Sequence, residues 1–269
     1  MHRTLPLKLA LIACLVVAAV RFGPTQAAAP VLETPDALRF SALTWNLELT
    51  NRNFAGIVER LTTSGADIVA LQELTPEQAD ALQADPRLQQ RYPYQMLNPR
   101  PGVSGMGLLS RFPILKQHPN PEASPRWAQL DLGDGRTLTV LNAHPSRSGI
   151  QLPLGYDPSR RDQQIATIRE RTAPMLERGE PILLLGDFNI TEREPAYHQL
   201  TSGLQDAHAL VGSSSGNSWR PELLKSWNVG LLRIDYLLTS PDVTPLRVSS
   251  DCTPRGGDHC IIEGVFEMQ

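Results

Sequence analysis

Ile182-Leu183-Leu184-Leu185-Gly186-Asp187-Phe188-Asn189 is the stretch from which the rest of the chain is read. Four consecutive apolar residues after Pro181, closed by Gly, predict a strand buried on both faces. Such a strand delivers its last side chains to the rim of a sheet, where ligands of open α/β sheets gather. Asp187 and Asn189 stand two apart, so on extended backbone they point the same way. A carboxylate that orients a water and an amide that holds a phosphoryl oxygen suit that placement. An ordinary Asp/Asn turn after a strand has the same composition. The octet alone leaves both readings open, and the recurrence of its pattern decides between them.

Working outward, residues 39–45 read as a first strand. Phe54, Ile57, Val58 and Leu61 then mark one apolar helix face. Residues 68–71 are a second buried strand. Thr75-Pro76-Glu77-Gln78 is a capping box with Pro at the first helical position, opening a helix that fades near Pro86. Residues 107–110, 127–132 and 137–142 are further strands, the last two joined as a hairpin by Gly133-Asp134-Gly135. Asp157-Pro158 opens a helix whose inward face is Ile165, Ile168, Thr172 and Met175. A short helix over 194–200 and strands over 234–238, 243–250 and 260–266 follow. The Pro- and Gly-rich stretch 93–107 reads as a loop. Strands and helices alternating with hairpins predict two mixed sheets with helices outside, in one domain spanning 38–269.

The apolar runs repeatedly end in carboxylates, amides or imidazoles. The first strand ends in Thr44-Trp45-Asn46 with Glu48 beyond, and the second in Gln72-Glu73. The 137–142 strand ends in Asn142-Ala143-His144, and the central one in Asp187 and Asn189. Asp235 stands at the start of its strand after Arg233, and Asp258-His259 precede the last strand. Each has a bland explanation alone, as a surface acid, a satisfied histidine or a turn residue. Six such boundaries in one chain point to a site. Hard divalent cations take oxygen ligands, and Mg²⁺ keeps several waters while using few protein carboxylates. Asn46, Glu73 and Asp258 supply such oxygens, and no Cys/His spacing of a thiolate zinc site is present. Histidines beside acids suit proton transfer or oxyanion contact near neutral pH, and phosphoryl transfer needs mainly positioning and charge stabilisation.

The composition is that of an ordinary globular chain, 41% hydrophobic and 20% charged over 269 residues. His2, Arg3 and Lys8, an uninterrupted apolar stretch over 9–20 and the small residues Ala27-Ala28-Ala29 form a secretory-signal pattern over 1–29, followed by a short linker over 30–37. The apolar stretch is shorter than the roughly 20 residues of a membrane span. A cleaved signal and a retained membrane anchor both remain open. Either predicts a secreted, periplasmic or cell-envelope protein. Removal of the segment takes away Arg3, Lys8 and Arg21 and leaves 22 basic against 28 acidic side chains, a formal charge of −6. With no basic run, the footprint of a dedicated duplex-DNA binder is missing. Cys252 and Cys260 are left, either paired in an oxidising compartment or with Cys260 free and buried at the start of the last strand.

The ordered set Thr-Trp-Asn-Leu-Glu (44–48), Leu-Gln-Glu (71–73), Gly-Leu-Leu-Ser-Arg (107–111), Leu-Asn-Ala-His (141–144), Gly-Asp-Phe-Asn (186–189), Arg-Ile-Asp-Tyr (233–236) and Gly-Asp-His (257–259) resembles the endonuclease/exonuclease/phosphatase superfamily. That group includes pancreatic-type deoxyribonucleases, abasic-site endonucleases, inositol-polyphosphate 5-phosphatases and neutral sphingomyelinases. The resemblance implies a four-layer α/β/β/α sandwich and phosphoester hydrolysis with Mg²⁺, or Mn²⁺ or Ca²⁺ in its place. It makes Glu73 the principal metal ligand with Asn46 beside it and Asp258 near the metal. Asp187 becomes the group that orients or deprotonates the attacking water, Asn189 a phosphate holder, and His259 the phosphoryl-stabilising group with Asp235 as its partner. His144 faces the phosphate from the other side, and Arg233 has a structural part. Glu48 stands where several members carry Asp, and Gly257 where Ser is common. The expected substrate is a lipid-linked or small phosphoester near a membrane. An extracellular nuclease is the alternative, and a catalytically silent binding module on the same fold a second.

Overall fold

The computed structural model describes residues 37–118, 125–151 and 155–268. The expected leader over 1–29 and all of the linker but residue 37 lie outside them. The chain opens with β1 (Leu38–Asn46), α1 (Phe54–Thr63), β2 (Ile68–Gln72), α2 (Pro76–Ala84) and α3 (Pro86–Arg91). β3 (Tyr94–Asn98), β4 (Met106–Ser110), β5 (Ile114–Gln117), β6 (Arg126–Gly133) and β7 (Arg136–Ala143) follow. A small hairpin, β8 (Gly149–Gln151) and β9 (Gly155–Asp157), precedes α4 (Ser159–Glu177), β10 (Ile182–Asp187) and α5 (Pro195–Leu200). The chain closes with β11 (Gln205–Asp206), α6 (Ala207–Val211), β12 (Asp235–Thr239), β13 (Val243–Asp251) and β14 (Ile261–Met268).

Two six-stranded sheets result, ordered β13-β14-β1-β2-β4-β3 and β11-β12-β10-β7-β6-β5. Their alternating side chains make three apolar layers. Phe40, Ala42, Ile68 and Ala70 of the first sheet meet Leu138, Val140, Leu183, Leu185 and Leu237 of the second. Leu43, Trp45, Val69 and Leu71 face the other way, onto α1–α3. Ile182, Leu184, Leu141 and Leu238 pack against α4 and α5. The architecture is the expected α/β/β/α sandwich with two mixed sheets. The two-residue period explains the site as well. Positions in phase with Ala42, Val140, Leu185 and Leu237 face the opposite sheet, and among them are Asn46, Asn142, His144, Asp187 and Asp235.

The capping box over 75–78 is formed, with the Thr75 side chain accepting from the Gln78 backbone and Gln78 returning the bond. In the hairpin between β6 and β7, Gly133 pairs with Arg136. Asp134 (φ 53°) and Gly135 (φ 76°) therefore fill a two-residue turn with both φ values positive. Two expectations are corrected. The stretch 93–107 is not all loop, because β3 pairs antiparallel with β4. Its mixed, half-buried residues are those of an edge strand, which carries no strong alternation. Pro86 ends α2 but also begins α3, because Asp85 caps the backbone N–H groups of Arg87 and Leu88. Strands β5, β8, β9 and β11 and helix α6 are too short for periodicity to reveal. Among the described residues no helix is long and apolar enough to cross a membrane.

A polar rim beside β13 has a pH signature. Burial opposes the charge on Asp251, but hydrogen bonds from Thr253 and the Arg255 guanidinium outweigh it and bring the carboxyl down to about 2, from 3.8. Arg60 bonds the same carboxylate. A depressed folded-state pKa stabilises above the unfolded value and is lost as pH falls through the folded one. The stability gap between the native protein and Asp251→Asn, read from urea midpoints, is therefore expected to be full above pH 4 and to close towards pH 2.

Candidate active site

The C-terminal ends of β1, β2, β7 and β10 and the start of β12 open on one cleft between the sheets. Asp187 is at its centre and is buried. The Asn46 amide donates to Asp187 Oδ2 at 3.0 Å and to Glu73 Oε1 at 3.3 Å, so one side chain joins two carboxylates from different sheets. Glu73 is held by the Leu49 backbone N–H on Oε2 at 3.0 Å. His144 Nε2 lies 3.5 Å from Asp187 Oδ2 and 3.9 Å from Glu73 Oε1. Its Nδ1 meets the Val103 carbonyl at 3.0 Å. A carbonyl only accepts, so Nδ1 carries the proton. On the other flank His259 Nε2 is 3.6 Å from Asp187 Oδ2, and its Nδ1 is 2.9 Å from Asp235 Oδ2. Asp187 and Asp235 are cross-strand partners of β10 and β12, which sets that spacing.

Asn189 follows in a left-handed conformation (φ 53°), with its backbone N–H on Asp187 Oδ1 and its side-chain amide on the Pro145 carbonyl at 3.0 Å. Asp258 accepts from the Trp219 indole and lies 3.9 Å from His259 Nε2. All eight candidate residues thus share one neighbourhood, Asp258 at its edge. Of the four non-glycine residues with positive φ among the described residues, three are Glu48, Glu73 and Asn189 at this cleft. Such backbone strain gathers where side-chain placement outweighs local preference.

Charge follows from the packing. Burial opposes protonation of His259, but the Asp235 and Asp187 carboxylates outweigh it and push the imidazole up to about 10. Asp235 is itself raised, by burial and by Asp187, against the pull of His259. Asp187 would rise on burial, yet His259 and His144 hold it below the usual carboxylate range. His144 is raised, with Asp187 and Glu73 outweighing its burial. Asp187, Asp235 and His259 bring ligand atoms within 4.8 Å of one another. A protonated His259 has no lone pair for a metal, so this trio reads better as a hydrogen-bonded relay. The Glu73 side fits a cation better. Four carboxylates (Glu73, Asp187, Asp235 and Asp258) face two imidazoles. Even with both imidazoles charged, two negative charges are left over, which a hard dication would balance among oxygen donors.

Several supporting residues escaped the sequence reading. Ser218 Oγ accepts from the Ile234 and Asp235 backbone N–H groups. The buried Arg220 guanidinium donates to the carbonyls of Trp227, Cys252 and Gly257, bracing the loop that carries Asp258 and His259. Gln72 bonds Asn142, whose amide reaches Leu71 and Gly107 across the sheets, so Asn142 is a structural tie. Glu48 pairs with Lys225 at 2.6 Å. Arg233 is buried against Asp206 at 2.7 Å and lies over the Tyr236 ring, the structural part expected of it.

Cys252 and Cys260 form a disulfide across the same loop. Closing so short a loop is worth roughly 2–3 kcal/mol on the chain-entropy account. Reduction with dithiothreitol is expected to lower the unfolding free energy obtained from urea denaturation by that much, and Cys252→Ser/Cys260→Ser to lower it equally without reductant. Equal midpoints with and without reductant would contradict the bond.

Comparison with known proteins agrees with the fold. The sequence pattern of the Endonuclease/Exonuclease/phosphatase family matches residues 43–259. A family protein from Bacteroides thetaiotaomicron is similar in structure, with TM-score 0.66, 15% identity, and coverage of 87% of this chain and 99% of that one. Truncated TDP2 from Caenorhabditis elegans gives TM-score 0.65 at 17% identity, covering 86% and 98%. TDP2 from D. rerio complexed with a single-strand DNA product gives 0.64 at 17%, covering 85% and 98%. No curated protein matches the sequence. With the pattern running from β1 to His259 over a shared phosphoesterase fold, the chain belongs to the Endonuclease/Exonuclease/phosphatase family.

Proposed function

We propose that the protein is an exported, Mg²⁺-dependent phosphoester hydrolase, acting on a lipid-linked or small phosphoester at the cell envelope. The observation that carries the hydrolase reading is the Asn46 amide joined to both Glu73 and Asp187, with an imidazole on either flank. Glu73, Asn46 and Asp258 are the residues to hold the cation, Mg²⁺ first and Mn²⁺ or Ca²⁺ in its place. When bound, it supplies positive charge to the phosphoryl oxygens. Asp187 orients the attacking water and takes its proton as the new P–O bond forms. The leaving oxygen departs with the electron pair of the broken P–O bond. His259, charged and fixed by Asp235, donates to a phosphoryl oxygen. His144 faces the group from the opposite flank, and Asn189 offers its remaining amide N–H.

The disulfide and the leader pattern in the sequence support export. An extracellular nuclease is the second reading, favoured by the similarity to TDP2 with its DNA product. The intact acids and His259 speak against a silent binding module. A substrate panel decides among them: phospholipid headgroup esters, soluble mono- and diesters, plasmid and single-stranded DNA, each with Mg²⁺ and with chelator. Chelator-sensitive hydrolysis is expected, read as inorganic phosphate from the monoesters and as released alcohol and phosphomonoester from the diesters. DNA cleavage alone would transfer the assignment to the nuclease, and no turnover of any substrate would end the hydrolase reading.

A further inference from the structure

The end of the sandwich at which β1 and β2 begin carries a cationic surface that the cleft does not use. Ser110 closes β4 opposite both Ile68, the first residue of β2, and Tyr94, the first residue of β3. Arg111 follows it directly, and Arg91 ends α3 just before β3. β1 runs parallel to β2 with Ala42 beside Ile68, so Leu38 lies at the same end. Glu73 follows the other end of β2, a strand's length away. A shallow depression at the near end is lined by Thr62, Arg87, Gln90, Arg91 and Arg111. Each offers an N–H or O–H donor, and none is a carboxylate.

The ion pairs of these arginines leave their positive charge on the outside. Arg111 spends Nη1 on Asp67, whose side chain is 15% exposed against 53% for the arginine. Arg87 forks onto Asp85, 17% exposed against 55%, and extends its remaining Nη1 to the exposed Glu59. Arg91 lies over the Tyr92 ring and donates to the Tyr92 hydroxyl and the Ala66 carbonyl, both neutral acceptors. Exposed apolar side chains flank the three: Tyr94 on β3, and Leu115 on β5, which begins three residues after Arg111. Lys116 beside Leu115 is exposed as well.

Guanidiniums interleaved with tyrosine and leucine suit the interfacial layer of a bilayer, where arginine meets phosphate and amphipathic rings sit at headgroup depth. The chain itself leads there, since the residues before Leu38 join at this end and include the apolar stretch 9–20. We infer that this end of the sandwich docks on an anionic phospholipid surface, with Arg91 and Arg111 on a headgroup phosphate and Tyr94 and Leu115 in the interfacial layer. The residues after 29 carry a formal charge of −6, so most faces are repelled by such a surface and a locally cationic end is the one that seats on it. The docking does not depend on the hydrolase reading.

Co-sedimentation with vesicles tests it. The full chain carries Leu15→Asp and Val17→Asp in every arm, so that the stretch 9–20 does not partition by itself. The vesicles are phosphatidylcholine alone, or phosphatidylcholine and phosphatidylglycerol in equal parts. Binding to the anionic vesicles is expected to exceed binding to the neutral ones and to be lost in molar salt. Arg91→Gln/Arg111→Gln is expected to unfold cooperatively in urea and to bind roughly tenfold more weakly, as two basic side chains leave a membrane surface. Equal binding by that variant, or no preference of the parent chain for anionic vesicles, would overturn the docking. If the variant fails to fold, Leu115→Ser decides, with binding weakened several-fold expected and equal binding fatal. Loss of binding in Leu223→Ser/Trp227→Ser, an exposed pair beside Lys225, with the arginine variant unaffected, would seat the membrane on a different face and overturn it too.

Discussion

Asp187→Asn is expected to lower turnover by roughly 10²- to 10⁴-fold, the range for loss of a positioned acid or base, while the protein stays folded. Four groups converge on this carboxylate: the Asn46 amide, the Asn189 backbone N–H and the two imidazoles. The substitution keeps the shape and removes the charge. The variant has no base for the attacking water, and His144 and His259 lose their common counter-ion. Because Asp187 ends a strand whose preceding residues are fixed by the two apolar layers on either side of it, the fold does not depend on it. The check is kcat at saturating phosphoester with Mg²⁺, beside urea midpoints for both proteins. Native-like turnover in the variant would remove Asp187 from the mechanism.

Gly186→Ala is expected to be far more damaging to stability than to any single contact in the cleft. Gly186 has φ 144°, and a Cβ built there would lie 1.9 Å from the Ala143 carbonyl oxygen. Both the backbone conformation and the close approach of β10 to β7 exclude a side chain. The clash is with backbone, so relief requires the two central strands to separate just before His144 and Asp187. A loss on the order of 4 kcal/mol or more puts it in the exceptional class of single substitutions. Gly179→Ala is the control. Its φ is 67°, but nothing lies within 4 Å of the added carbon, so only about 1 kcal/mol is expected. Urea denaturation of both variants measures the difference. Equal losses would show that the strand contact at Gly186 is not the cause.

Much of the site was legible because its residues end strands whose two-residue alternation is strong. Ile182-Leu183-Leu184-Leu185 marked β10 and put Asp187 at the rim of its sheet. Asn46, Asn142, His144 and Asp235 were found in the same way, as polar residues at the boundaries of apolar runs. Ser218, Arg220 and Lys225 were not legible, because they lie in irregular chain where no period applies. Lys225 is 177 residues away from the Glu48 it meets. Arg220 serves three carbonyls that sequence does not distinguish from any others. Asn142 shows the limit of reading residue types alone. It ends a strand beside the cleft like its neighbours, but both ends of its amide are spent on holding the sheets together.

The direction of β1 has a consequence for how the molecule meets its surroundings. This nine-residue strand enters at one pole of the sandwich and delivers Asn46 to the other, about 27 Å away at strand rise. Whatever precedes Leu38 is therefore joined at the pole opposite the mouth. If residues 9–20 stay in a bilayer with the sandwich upright on them, the mouth looks outward, towards molecules arriving from solution. Only a slack tether that lets the body tip over would bring it down to headgroups in the supporting membrane.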